Sequence, residues 1–164
     1  MKKQTMQQLK KAILPAGKKL FIAVLISATF ASAAFAGPAD VSSTALNNLT
    51  YEFKNAKDVV WKVTAIYTYA SFTYNGEKME VCYNNDGDLI GVSRIISNDE
   101  LPQKANKKIA KEYAGYKTAE AIEFKNAEDE TTFYISLLKD ASKIILQVET
   151  NGDVSIFKPA PLQK

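Results

Sequence analysis

The chain has 164 residues, with 21 basic and 18 acidic side chains, one cysteine and no histidine. Six lysines and no acid fall within the first 20 residues, so the rest carries 15 basic against 18 acidic residues, net −3, which excludes the markedly basic balance of a nucleic-acid binder. One cysteine excludes an internal disulfide, and the lack of histidine excludes Ser-His-Asp and Cys-His catalytic sets.

The lysine-rich start leads into an apolar and small-residue run from Leu20 to Ala36 that closes on Ala34-Phe35-Ala36. The run is shorter than the roughly 20 residues that span a bilayer, and its end has the small-x-small pattern of a cleavage site. The pattern predicts a signal peptide over residues 1–36, started at Met1 or Met6, and a mature chain beginning at Gly37. No cysteine stands at the cleavage point to take a lipid. The expected product is exported, periplasmic or secreted, with no stable membrane anchor after cleavage. Residues 37–42 read as a linker, 43–159 as one α+β domain of ordinary size, and 160–164 as a tail.

Ser42 or Ser43 is placed to cap a first helix whose buried stripe is Leu46, Leu49 and Phe53. Alternation resumes near Asp58, with Val59, Trp61 and Val63 on one face and Val60 and Lys62 on the other. Asn75-Gly76 between two alternating runs predicts a two-residue hairpin of type I′. Pairing Tyr74 with Glu77 then sets Phe72 opposite Met79, Ala70 opposite Val81 and Thr68 opposite Tyr83. The opposite face receives Thr73 with Lys78, Ser71 with Glu80 and Tyr69 with Cys82. A one-residue slip would destroy this segregation.

The Asn84-Asn85-Asp86-Gly87 turn leads to a strand near Leu89–Ser97, whose Ile90 and Val92 are expected to continue the inner face. Asn98 to Pro102 opens a second helix with Leu101, Ala105, Ile109 and Tyr113 on one side and Gly115 at its end. Four more strands are expected at Thr118–Lys125, Thr131–Leu138, Lys143–Glu149 and Val154–Phe157. The order helix, strands, helix, strands, with Asn-Asp-Gly and Asn-Gly turns in matching late positions, predicts a diverged repeat offset by roughly 60–65 residues and an antiparallel sheet with both helices on one face. The identity of 52–56 with 123–127 has a different offset and falls on unlike elements, so it reads as chance. Trp61, Phe72, Met79, Val81, Ile109 and Tyr113 are expected to share one core.

No residue pattern singles out a catalytic set, a metal site or a cofactor. Aligning Gly87 with the sixth position of a calcium loop puts Cys82 first and Ser93 twelfth, neither of them the required ligand. Glu128-Asp129-Glu130 reads as a solvated turn, and Lys104, Lys107, Lys108 and Lys111 as the exposed side of the second helix. Cys82 reads as a partly covered, unreactive thiol.

The strongest functional signal is the sheet face turned away from the helices. Tyr67, Tyr69, Tyr134 and Ile145 are the partner-binding candidates on it, with Leu138, Ser71, Thr73 and Gln147 beside them. Half-exposed tyrosines among aliphatic and small polar residues match the make-up of an interface.

Trp61, the run Tyr69-Ala70-Ser71-Phe72 with Asn75-Gly76, the Tyr83 to Gly87 turn, Asp99-Glu100-Leu101-Pro102, Phe133-Tyr134-Ile135 and Asn151-Gly152-Asp153 recur in the order seen in one family. The chain resembles the β-lactamase-inhibitor-like, PepSY-like family of exported bacterial proteins over roughly residues 43–158. The resemblance implies αβ repeats with helices on one side of an antiparallel sheet, and protein binding through the open face. It supplies no catalytic residues. The expected function is therefore a non-enzymatic binding or inhibitory module for a protein or peptide. The alternatives are a small envelope hydrolase using carboxylates and a structural envelope protein.

Overall fold

The structure is a computed structural model, and it describes residues 40–158. The expected signal peptide and its cleavage site lie outside the described residues. Among the described residues the fold is α+β, with two α-helices and eight antiparallel strands that follow chain order. Two compact units divide the described residues: 40–94 with Lys125–Glu130, and Ile95–Phe124 with 131–158.

The first unit begins with helix α1 (Ser43–Glu52). Ser42 is its cap, accepting a hydrogen bond from the Ala45 amide at 3.2 Å and so satisfying one of the donors a helix start leaves open. Four strands follow: β1 (Lys57–Val63), β2 (Tyr67–Tyr74), β3 (Glu77–Asn84) and β4 (Leu89–Ile95). The β2–β3 register is the predicted one at every position, from Tyr74 opposite Glu77 to Thr68 opposite Tyr83. Asn75 and Gly76 both have positive φ, 53° and 85°, as a type I′ turn requires.

Ala45 and Leu49 of α1, with Val41 just before it, pack onto Trp61, Ala70, Phe72, Val81 and Tyr83. Phe53, beyond the helix, closes that core edge-on to Tyr74 and tilted on Phe72, with ring centroids 5.3 and 4.8 Å apart. In β4 a bulge corrects the expected inner face. Cys82 pairs with Gly91 but Tyr83 pairs with Leu89, so Ile90 is the extra residue and Leu89 with Val92 packs on the core.

The second unit opens with a 3-10 turn at Asn98–Glu100, closed by a capping box in which Glu100 accepts from the Ser97 amide at 3.0 Å. Helix α2 itself is Gln103–Glu112, with Pro102 at the capping position rather than inside the first turn. Strands β5 (Lys117–Asn126), β6 (Thr131–Lys139), β7 (Ser142–Glu149) and β8 (Val154–Ile156) follow. Leu101 and Ala105 pack on Ala121, Ile135, Leu137, Leu146 and Val148, with Ile109 and Tyr113 at the margin. The predicted single core is thus two. Trp61, Phe72 and Val81 belong to the first, with Met79 packed against it, while Ile109 and Tyr113 lie against the second. Each helix has one small buried face, built on an alanine of zero exposure, and can cover only its own strands.

The same device pins each helix to the turn before its unit's last strand. Gly87, φ 86°, lies so near α1 that an added Cβ would be 2.7 Å from the Ala45 nitrogen and 2.6 Å from Thr44 Cβ. The Gly87 carbonyl accepts from the Asn48 side chain at 3.0 Å. Gly152, φ 83°, presses likewise on Lys104, whose Cβ would be 2.8 Å away. Equivalent helices and equivalent turns place the repeat offset at 60–65, whereas 52–56 and 123–127 occupy a helix end and a strand.

Candidate functional site

On each unit the strand face opposite the helix carries the candidates. In the first unit Tyr69 pairs across β3 with Cys82, and Tyr67 pairs with Asn84. The two tyrosine rings meet edge-on at 6.3 Å. Ser71 donates to Glu80 Oε2 at 2.8 Å, and Ser93 donates to the Glu80 carbonyl at 3.5 Å, so this face has a polar centre beside its aromatic pair. Burial pushes the Cys82 thiol up to about 12; its bond to the Tyr69 hydroxyl opposes that rise and the Glu80 charge adds to it. Burial also pushes Tyr69 well above the usual phenol range, with Cys82 contributing. Such a thiol stays protonated near neutral pH and is a poor nucleophile.

In the second unit, alternation along β5–β7 sends Ile122, Phe124, Tyr134 and Ile145 to the face away from α2. Phe157 joins them just past β8, its amide donating to the Ile145 carbonyl at 2.8 Å and its ring edge-on to Tyr134 at 5.2 Å. This is an apolar cluster separate from the core beneath the helix. Burial raises the Tyr134 phenol to about 12, with the Glu149 charge a second cause. Next to Tyr134 along β6, Ser136 is 1% exposed, pairs with Ile145 across β7, and its hydroxyl has no hydrogen-bond partner among the described residues.

Tyr67, Tyr69, Tyr134 and Ile145 therefore lie on the predicted face, the first two in the first unit and the others in the second. Their predicted half-exposure holds only for Tyr67 and Ile145, since Tyr69 is 4% and Tyr134 5% exposed. Each buried ring is flanked by a second aromatic ring and an apolar or sulfur-bearing neighbour. Ile122, Phe124 and Phe157 are additional members that the sequence reading did not single out. The even positions of β5, Ile122 and Phe124, carried the available signal.

Two of the four α2 lysines also have roles beyond solvation. Lys104 pairs with Asp153 at 2.7 Å and Lys108 donates to the Val154 carbonyl at 3.1 Å. Among the described residues no group of three metal-binding side chains comes together, and no helix is long and apolar enough to cross a membrane.

No family model matches the chain, and no curated protein does. Solved structures do. A protein from Bacteroides eggerthii DSM 20697, provisionally named as periplasmic, superposes with a TM-score of 0.65 at 18% identity, covering 70% of this chain and 85% of its own. A DUF2874 family protein from Bacteroides uniformis ATCC 8492 gives 0.64 at 16%, covering 70% and 86%. A BLIP-like protein from Bacteroides fragilis NCTC 9343 gives 0.61 at 16%, covering 76% and 89%. At these identities the likeness is one of fold, and the fold of this chain is BLIP-like.

Proposed function

We propose that the chain is an exported, non-enzymatic binding or inhibitory module that docks a protein or peptide on the strand faces carrying no helix. The observation that carries this reading is that Ile145 and Phe157 stay half-buried over the buried layer of Ile122, Phe124 and Tyr134 on the face away from α2. Large apolar side chains left partly open to solvent beside polar groups suit a protein partner. Export is supported by the lysine-rich leader with its apolar run, and by likeness to a protein provisionally named as periplasmic. The inhibitory alternative is supported by the BLIP-like fold alone.

The test is capture of partners from a periplasmic extract with the mature chain, repeated with Ile145→Lys and with Tyr67→Ala. Both positions are half-buried, so folding is checked by melting first. A charge at the centre of a real interface should cost at least about 2 kcal/mol, roughly thirtyfold in affinity. Binding by both folded variants within about twofold of the parent would overturn the proposal.

A further inference from the structure

We propose that Asn75 is a site of self-modification, where the exposed tip of the β2–β3 hairpin turns a side-chain amide into an acid, and that the fold protects Asn151 from the same reaction. Asn75-Gly76 and Asn151-Gly152 are the only Asn-Gly pairs in the sequence. In such a pair the glycine amide nitrogen can attack the asparagine Cγ, because no Cβ on the glycine obstructs the approach. A C–N bond forms, the attacking nitrogen gives its proton to solvent, and the side-chain amide leaves as ammonia with a proton taken from solvent. Water then adds to one of the two carbonyls of the resulting succinimide and opens the ring. Opening at the side-chain carbonyl gives Asp, and opening at the backbone carbonyl gives isoaspartate, whose main chain runs on through the side-chain carbon. One water is taken up and one ammonia released, with no oxidant or cofactor required.

The two pairs sit in unlike surroundings. Asn75 and Gly76 are both exposed. Neither the Asn75 side chain nor the Gly76 amide has a hydrogen bond within the fold among the described residues. A Cβ built on Gly76 would meet nothing within 4 Å, so packing does not oppose the rotation that carries its nitrogen to Cγ. At the second pair the reacting groups are all held. Gly152 is buried, and its amide donates to the Glu149 carbonyl at 2.8 Å. The Asn151 side-chain nitrogen donates to the Asp153 carboxylate at 2.9 Å, and its oxygen accepts from the Asp153 amide at 2.9 Å. Lys104 packs against the glycine and anchors Asp153 by an ion pair of 2.7 Å.

The two products differ in what they do to the hairpin. Asp keeps the backbone and tolerates positive φ, so the turn, with φ 53° at Asn75, survives it. Isoaspartate lengthens a two-residue loop by one backbone atom, for which a type I′ turn has no place. The strain falls first on the closing pair, Tyr74 with Glu77. Tyr74 is edge-on to Phe53, which packs against the first core, so loosening of the tip reaches that core through the ring pair. Chains carrying isoaspartate are therefore a less stable population, and one that grows with the age of the protein.

The test is incubation of the chain at mildly alkaline pH, with ammonia release followed and the converted sites located by peptide mass mapping. Enzymatic methylation specific for isoaspartyl groups distinguishes the two products. Three hydrogen bonds must break at Asn151 and none at Asn75, so in the folded chain Asn75 should convert at least about tenfold faster. In denaturant both pairs lose their surroundings, and the two rates should converge. Asn75→Asp should melt at the temperature of the fresh chain, whereas the isoaspartyl fraction of an aged sample should melt lower. The proposal is overturned if Asn151 converts as fast as Asn75 in the folded chain, or if Asn75 stays intact when folded and converts only when denatured. A rate gap that persists in denaturant, or an isoaspartyl fraction that melts with the fresh chain, would overturn it equally.

Discussion

Gly87 meets Ala45 at a distance that leaves no room for a side chain: a Cβ on the glycine would stand 2.7 Å from the Ala45 backbone nitrogen. Gly76 has nearly the same backbone conformation, φ 85° against 86°, but nothing within 4 Å of its would-be Cβ. The pair separates two costs that usually come together. Gly76→Ala should lose only the conformational part, about 1–2 kcal/mol. Gly87→Ala adds a clash with backbone that cannot move without lifting the turn from the helix, and should lose distinctly more. Denaturant melts of both variants decide it, and equal losses would mean that the turn does not press on α1.

Phe72→Ala should cost about 3–5 kcal/mol, because the ring is buried against Phe53 and beside the α1 contact. Met79→Ala, at the margin of the same core, should cost less. A reversed order in thermal melts would contradict the β2–β3 packing.

The register of that hairpin was readable because three signals agreed: a two-residue turn, period-two alternation, and apolar partners that segregate only in one pairing. Where an added residue breaks the period, as at Ile90, alternation misassigns the face and nothing in the local composition announces it. The division into two cores was hidden for another reason. Ala45 and Ala105, the residues at the centre of each helix contact, are too small to stand out in a hydrophobic pattern. The candidate face was legible in direction, through Tyr69 and Tyr134, but their burial was not. It depends on neighbours such as Phe157 that come from beyond the strand ends.

Ser136→Ala should leave stability unchanged or raise it by up to about 1 kcal/mol, since a buried hydroxyl without a partner costs desolvation and returns nothing. Loss of stability on this substitution would mean that the hydroxyl is bonded in solution. Weakened capture of a partner without such loss would place it in the interface.

Cys82 should resist alkylation at neutral pH in the folded chain and react once denatured. Its thiol is raised to about 12 by burial, while an unfolded thiol titrates near about 8.5. The fold thus favours the protonated form, and the unfolded chain releases its proton first. The stabilising contribution is whole below about pH 8.5 and is lost as pH rises from there toward 12. Cys82→Ala should consequently show a shallower fall of Tm between about pH 8 and about pH 10 than the parent. An equal slope would place the thiol in contact with water.

The glycine turns that hold α1 and α2 lie at the opposite end of their units in sequence from the helices they hold. A chain emerging N-terminus first therefore exposes each helix well before its clasp exists. Helices of only ten residues have little persistence alone. Each must stay an unfastened segment until the final hairpin of its unit has formed, so a break in either turn would leave the strands paired and the helix adrift. Amide exchange in such a variant should quicken along the helix while β2 and β3 keep their protection.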